Sequence, residues 1–260
     1  MLNFGSNHFL PTMINSVVDK VLVMRSLLVA NANDADPGCI GQRFAEQGFI
    51  GERFKDHGSI FNNCEREHPD QWPSLDGADL IVLLGSWWSV YWVDIEKNVR
   101  AECEMILEAH RRGIPIFGIC YGAQIMAKAF GGAVQRATQH EVGWHQVDAK
   151  APNEVIGGTW LQWHYDTFTP TTDVEVLAIS PAGPQAIRKG RSFATQFHPE
   201  VTEAIVRRWA SESGEAELAK LGITVNELID QTIFEVQRSA PAAARLVDWF
   251  IESSAREVAS

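Results

Sequence analysis

The sequence predicts an α/β protein: helices packed on a mostly parallel β-sheet, with antiparallel strands added at one edge. Three observations carry that expectation. Short apolar runs, Val21 to Ala30, Ala78 to Gly85 and Ile114 to Ile119, lack the alternation of a half-solvated strand and read as strands buried on both faces. Each is followed by a loop and then a segment with helical spacing, which is the β-α-β order of a parallel sheet. From Ala133 onward the segments shorten and intervening helices disappear, the pattern of antiparallel strands.

Residues 1 to 20, with Pro11 and little periodicity, are expected to extend over the surface of a single domain spanning 21 to 260. Val21 to Ala30 is the first strand, and Asn31 to Gly38 is a polar loop at its carboxyl end. A helix from about Ile40 to Gln47 stops at Gly48, and a short strand precedes Asp56. Cys64 to Asp76, with Pro69 and Pro73, connects to the strand in Ala78 to Gly85. After the aromatic stretch Ser86 to Trp92, a helix from about Ile95 to Arg112 places Val99, Cys103, Ile106 and Leu107 on one face and ends at Gly113. The strand Ile114 to Ile119 leads into a helix over Ala123 to Phe130, closed by Gly131 and Gly132. Antiparallel strands are expected at Glu141 to Val147, Thr159 to His164, Val174 to Ile179 and Gln185 to Ile187. The remainder of the domain, 203 to 260, reads as helical, with segments at Glu203 to Ser211, Leu218 to Leu221, Val225 to Arg238 and Ala242 to Ser254.

The balance of 33 acidic and 22 basic side chains gives a net charge of −11. Such a surface repels nucleic acid and anionic membrane, so small molecules or proteins are the expected partners. The four cysteines, Cys39, Cys64, Cys103 and Cys120, show no CxxC pair or other zinc spacing, so reduced, cytoplasmic conditions are expected, with no metal and no cofactor. The first twenty residues lack the basic start and unbroken apolar core of a secretory signal. The longest apolar run, Val21 to Ala30, carries Arg25 and is too short to span a bilayer.

The chemistry concentrates in Gly113 to Gly132, GIPIFGICYGAQIMAKAFGG. Cys120 stands between Gly118 and Gly122 where a buried strand meets a helix, the arrangement of a nucleophile elbow with sulfur in place of oxygen. Such a turn strains the backbone of the nucleophile and admits no Cβ close by, so it requires glycine two residues to either side. At a helix N-terminus the free N–H groups and the dipole favour a thiolate. A buried structural cysteine in a Gly-rich turn is the alternative. Downstream, the apolar strand Ser192 to Phe197 ends in His198, Pro199 and Glu200. These supply a base and a carboxylate to orient it, two residues apart across a proline that restrains the backbone.

Gly118-Ile119-Cys120-Tyr121-Gly122-x-Gln124, followed by Gln196-Phe197-His198-Pro199-Glu200, resembles the class I glutamine amidotransferase family, the triad-type glutaminases, over roughly Val21 to Val201. The resemblance implies a flavodoxin-like three-layer sandwich in which Cys120 is the nucleophile, His198 the general base and acid, and Glu200 the group orienting His198. It implies that Tyr121 and Ser86 donate backbone N–H groups to the oxyanion. Ser86 does so from Gly85-Ser86-Trp87, where the family carries Gly-Gly-Pro. Gln124, and more loosely Glu141-Val142-Gly143, match positions that contact substrate; capping the elbow helix is the alternative for Gln124. Trp163-His164-Tyr165-Asp166 matches the segment that holds the α-amino and α-carboxylate groups of glutamine in the family; the alternatives for His164 and Asp166 are a structural hydrogen bond, or a metal site with His198, which no other ligand spacing supports.

Trp87, Trp88, Tyr91 and Trp92 adjoin the expected oxyanion loop. Trp87 and Trp88 are expected to wall the side where the leaving amine departs, which points to an amine bulkier than ammonia, as in a γ-glutamyl anilide. Packing in the core or at a subunit interface is the alternative. The expected reaction is hydrolysis of a γ-glutamyl amide through a thioester on Cys120. Two further functions stay open: a glutaminase supplying ammonia to a synthetase partner, and a non-catalytic binding or regulatory subunit of the same fold. The sequence carries no Gly-x-x-x-x-Gly-Lys nucleotide loop, and its helices after the triad resemble those of free-standing GMP-synthase-like members. A homodimer is compatible with it.

Overall fold

A computed structural model describes residues 24–32, 35–53, 72–211 and 213–256 of the chain. The expected extension over 1 to 20, and most of the connection from Cys64 to Asp76, lie outside them. The parallel part of the sheet starts with β1 (Met24–Val29), β2 (Phe49–Arg53), β3 (Leu80–Leu83) and β4 (Ile116–Ile119). The chain then lays down β5 (Ala133–Ala149), β6 (Gly158–Thr169), β7 (Glu175–Ser180) and β8 (Gly183–Lys189), and returns to the parallel part with β9 (Ser192–Thr195). The strand order is β2-β1-β3-β4-β9-β8-β7-β5-β6. Its first five members pair in parallel in the flavodoxin-like order, and the antiparallel strands continue from β9, as the sequence predicts.

Alternation along the buried strands divides the core in two. Leu27 and Val29 of β1 face one side of the sheet with Ile81, Leu83 and Ile116, and there α2 (Glu96–Arg111) and α3 (Tyr121–Ala129) cover them with Val99, Ile106, Ile125 and Met126. Leu28, Leu80, Val82, Phe117 and Phe193 face the other side, covered by α1 (Gly38–Glu46) and by the second half of α6 (Val225–Arg256). Phe117 meets Phe44, Phe193 and Phe250 at centroid distances of 5.2 to 5.7 Å, and its complete burial contributes about 2–3 kcal/mol. A third apolar cluster joins Val142 and Leu161 of the β5–β6 ribbon to α4 (Glu203–Ser211), α5 (Ser213–Lys220) and the start of α6.

The β5–β6 ribbon and the last helix differ from the expectation. β5 and β6 are 17 and 12 residues long, well beyond the segments Glu141 to Val147 and Thr159 to His164. In β5 the extra length lies mainly in 133–140, where most side chains are exposed and no apolar alternation marks a strand; in β6 it lies mainly in 165–169, where 166–169 pair with 133–136 of β5. The helices expected at Val225 to Arg238 and Ala242 to Ser254 are one helix, with Pro241 inside it. An interior proline costs about 3 kcal/mol. Leu228 and Ile229 ahead of it, and Leu246, Val247 and Phe250 after it, are buried in different clusters at about 1.5–3 kcal/mol each, which offsets that cost and keeps the axis continuous.

Candidate active site

β4 ends at Ile119 and α3 begins at Tyr121, so the turn between them is Cys120 alone. With φ 51° and ψ −103°, Cys120 is the one non-glycine of positive φ among the described residues, a conformation that costs on the order of 1–3 kcal/mol. Hydrogen bonds hold it there. Its N–H donates to Thr195 O on β9 at 2.7 Å, and its carbonyl accepts from Ala123 and Gln124. The flanking glycines are sterically required: a Cβ on Gly118 would lie 2.8 Å from Met126 Sδ, and one on Gly122 would lie 2.4 Å from Leu83 O.

β9 leads into His198. His198 donates its backbone N–H to Leu161 O on β6 at 2.9 Å, which anchors the residue across the sheet edge. His198 Nδ1 lies 2.7 Å from Glu200 Oε1, and both side chains are buried. Nε2 has no hydrogen-bond partner among the described residues and is the nitrogen left for proton transfer. Burial by itself favours the neutral imidazole, but the Glu200 carboxylate and the Cys120 sulfur outweigh it and raise the His198 pKa to about 10. The ring is thereby held as imidazolium at neutral pH, next to the sulfur.

The start of α1 sets the position of Glu200. Cys39 donates its N–H to Glu200 O at 3.1 Å and its thiol to Pro199 O at 3.0 Å. A Cβ on Gly38, whose φ is 46°, would stand 1.9 Å from Glu200 O. Burial and the Glu200 charge push the Cys39 thiol up to about 12, so it is no second nucleophile. Neither Gly38 nor Cys39 stands out in the sequence, because their contact with the triad segment exists only once α1 has packed.

Two lobes of one cleft meet at Cys120. The first, about 150 Å³, contains His198 and Glu200 and is walled by Trp87, Trp163 and Trp209, with Asp36 and Glu217 at its rim. The second, about 280 Å³, brings Gln124, Arg136, His164 and Asp166 together with Trp87, Trp88, Trp92 and Trp163. Every loop at the carboxyl end of β1, β3, β4 and β9 contributes to the first lobe, as the flavodoxin-like topology requires of a site at its switch point.

The residues singled out from the sequence fall around this cleft with different surroundings. Tyr121 opens α3, so its N–H has no partner one helical turn back, and Ser86 lines both lobes on the loop after β3. Gly85 lets His198 approach: a Cβ there would sit 3.2 Å from His198 Cε1. Gln124 does not cap the elbow helix; its Nε2 donates to Gln196 Oε1 at 3.3 Å, and Gln196 Nε2 donates in turn to Cys120 Sγ at 3.6 Å. Trp87 is half exposed and lines both lobes, whereas Trp88 is buried in the core and touches only the second. His164 has both ring nitrogens engaged, one 2.9 Å from Asp166 O and the other 3.3 Å from Glu141 Oε2. Asp166 accepts from Ser89 and, at 2.8 Å, from Tyr91, with Arg136 3.9 Å away. Tyr165 stacks under Arg136 at 4.4 Å, and its burial beside Glu217 raises its hydroxyl pKa well above 10.

Sequence reasoning assigned no role to Gln196, Arg136, Trp209 or Glu217. Gln196 could have been found, since it heads the Gln-Phe-His-Pro-Glu segment. The other three come from the ribbon and from α4 and α5, where nothing in the local pattern distinguishes them from surface residues. No group of three His, Cys, Asp or Glu side chains that could hold a metal ion occurs among the described residues. Among the same residues, no helix is long and apolar enough to cross a membrane.

A strained, buried cysteine beside an imidazole–carboxylate pair, at the carboxyl edge of a flavodoxin-like sheet, has the layout of a thiol acyl-transfer centre. The family model described as glutamine amidotransferase class-I matches residues 59–206, more than half of the chain. The protein belongs to the class I glutamine amidotransferase family. Among its relatives, the GMP synthase (glutamine-hydrolyzing) of Aeropyrum pernix is 33% identical over 146 residues, which are 51% of this chain and 28% of that protein. The GMP synthase of Aeromonas salmonicida is 37% identical over 109 residues, 35% of this chain and 20% of that protein. The chain therefore spans under a third of the length of these curated relatives. A solved glutamine amidotransferase from Thermotoga maritima superposes with a TM-score of 0.76 over 89% of this chain and 99% of that one, at 25% identity. One from Methylobacillus flagellatus, 18% identical, shares the fold with a TM-score of 0.70 over 88% and 94% of the two chains.

Proposed function

We propose that the protein hydrolyses the γ-amide bond of a γ-glutamyl compound, and that the departing amine is larger than ammonia. The observation that carries this is the placement of Cys120 at the junction of two unlike lobes, with His198 and Glu200 in only one of them. The second lobe suits the glutamyl end, with Arg136 for the α-carboxylate and Asp166 and Glu217 for the α-ammonium group. The lobe holding His198 is where the amine must leave, because the group that protonates the nitrogen is there. Trp87 and Trp163 are shared by the two lobes, and Trp209, which lines the first alone, supplies apolar surface on the leaving side that ammonia does not need.

In the first step the Cys120 thiolate attacks the γ-carbonyl carbon, and the carbonyl electron pair moves onto oxygen, between the N–H groups of Tyr121 and Ser86. As the tetrahedral adduct collapses, the C–N bond breaks and His198 gives its Nε2 proton to the departing nitrogen. The neutral imidazole then takes a proton from water, the hydroxide adds to the γ-glutamyl thioester, and the sulfur leaves as thiolate. Glu200 stabilises the imidazolium at both ends of the cycle, and Gln196 donates to the sulfur whenever it is anionic.

A second reading is supported by the relatives being GMP synthases matched over only part of their length. In it, the same centre releases ammonia from glutamine for a synthetase partner. The two are separated by measuring glutamate release from glutamine and γ-glutamyl anilide in parallel, with Cys120→Ala as the blank. Preference for the anilide supports the hydrolase, and turnover of glutamine alone supports the ammonia supplier. Absence of both, with no γ-glutamyl adduct on Cys120, overturns the assignment.

A further inference from the structure

A carboxyl group occupies a place on α2 where an apolar side chain would pack. Glu102 lies between Val99 and Ile106 on the buried face of the helix and is 0% exposed. Burial pushes its pKa up to about 8, against the opposing pull of hydrogen bonds from Asn31 and Tyr121. Burying such a group works against folding unless its bonds accomplish something a leucine cannot.

Those bonds reach two separate loops. Asn31, on the loop after β1, donates from Nδ2 to both carboxyl oxygens, at 3.2 and 3.0 Å. Tyr121, the residue after the nucleophile, donates its hydroxyl to Oε2 at 3.3 Å. The chain of contacts then continues to the second loop: Ser86 Oγ donates to Asn31 O at 3.1 Å and accepts the Trp88 N–H at 3.1 Å. The Trp88 ring closes the circuit by packing edge-on against Tyr121 at 6.4 Å. The Tyr121 and Ser86 side chains thus both end on one bonded cluster centred on Glu102.

We propose that Glu102 is a positioning residue for the oxyanion hole, setting the separation of the two backbone N–H groups offered by Tyr121 and Ser86. This rests on the reading of Cys120 as nucleophile with those two donors. Donors stabilise an oxyanion only when about 2.7–3.1 Å from it, so a shift of either loop by a few tenths of an ångström weakens the reaction without touching the nucleophile.

The test compares two reactions of Cys120 in the full chain. Alkylation by iodoacetamide displaces iodide from a saturated carbon and forms no oxyanion. Acylation by p-nitrophenyl acetate passes through a tetrahedral oxyanion, forms an acetyl thioester and releases p-nitrophenolate. Glu102→Leu and Tyr121→Phe are expected to slow acylation roughly 10- to 100-fold, the lower side of what losing one oxyanion donor does, and to change alkylation by less than about 2-fold. Glu102→Gln, which keeps an acceptor for both loops, is expected to retain acylation within about 3-fold. Acylation unchanged in both Glu102→Leu and Tyr121→Phe, or falling in step with alkylation, overturns the proposal. If Glu102→Leu does not fold, Tyr121→Phe, which removes a single hydroxyl, decides the outcome. A wild-type Cys120 that takes both reagents yet releases no glutamate from any γ-glutamyl amide refutes the substrate reading and leaves the ratio test valid; a wild-type Cys120 that takes neither refutes both.

Discussion

Replacing Glu102 with glutamine is expected to stabilise the protein, by an amount that grows as pH rises. The ordinary carboxyl pKa is 4.5, and in the folded protein burial raises it to about 8. Between those values the unfolded chain has released a proton that the folded chain keeps, so unfolding releases a proton and wild-type stability falls as pH increases. Each pH unit above 4.5 costs about 1.4 kcal/mol, which amounts to about 3 kcal/mol at pH 7 and levels off above pH 8. Glutamine has the same shape and offers a carbonyl to Asn31 and Tyr121, but it has no proton to lose. For a chain of 260 residues, about 3 kcal/mol corresponds to a Tm difference on the order of 6–12 °C. Thermal unfolding of wild type and Glu102→Gln at pH 5, 6, 7 and 8 measures it. A small difference at pH 5 that widens steadily to pH 8 is expected. A difference that stays constant across that range would refute the reasoning, since it would mean that Glu102 does not titrate differently in the two states.

Other perturbations bear on the triad and the cleft. Glu200→Gln removes the charge 2.7 Å from His198 Nδ1, which lowers the imidazole pKa, and kcat for glutamate release should fall by roughly 10³- to 10⁴-fold with little change in KM; a fall under about 10-fold counts against Glu200 as the orienting group. Gly38→Ala forces Glu200 O away from a new methyl that would start 1.9 Å from it, so activity should drop by at least about 10-fold together with a loss of more than about 1 kcal/mol in urea unfolding. Trp209→Ala opens the leaving-side wall, and kcat/KM for γ-glutamyl anilide should fall about 10-fold more than for glutamine. Equal losses on both substrates would favour the ammonia-supplying reading.

The family and the strained turn at Cys120 are legible in the sequence because most of their requirements are local. Gly118 is demanded by Met126 and Gly122 within the strand-turn-helix, and Gly122 by Leu83 on the adjacent β3, and both stand within five residues of each other around Cys120. His198 and Glu200 are likewise set by one short segment, and the buried strands announce themselves by apolar runs that solvent would not tolerate. The aromatic loop shows where local reading stops. Trp87 and Trp88 are adjacent and chemically identical, yet Trp87 is half exposed and lines both lobes, while Trp88 is buried against Tyr121 and reaches only the second, a division made by the direction of the loop and not by the residues.

By itself, then, the sequence determined the family, the parallel α/β core and the elbow, and it named Cys120, His198 and Glu200 as the proposed triad, from patterns contained in a turn, a strand or a helix. Only the tertiary structure decided what surrounds them. Gly38 against Glu200, Gln196 on the sulfur, Arg136 and Trp209 in their separate lobes, and Glu102 beneath two loops join distant segments: Asn31 and Glu102 are 71 residues apart, Gln196 and Cys120 are 76 apart, and the Cys39–Pro199 bond beside Gly38 spans 160. Their side chains are ordinary glycines, amides and charges until the sheet closes. The physical reason is that the site lies where the carboxyl ends of four strands converge, and convergence is a property of strand order, which no single stretch of sequence contains.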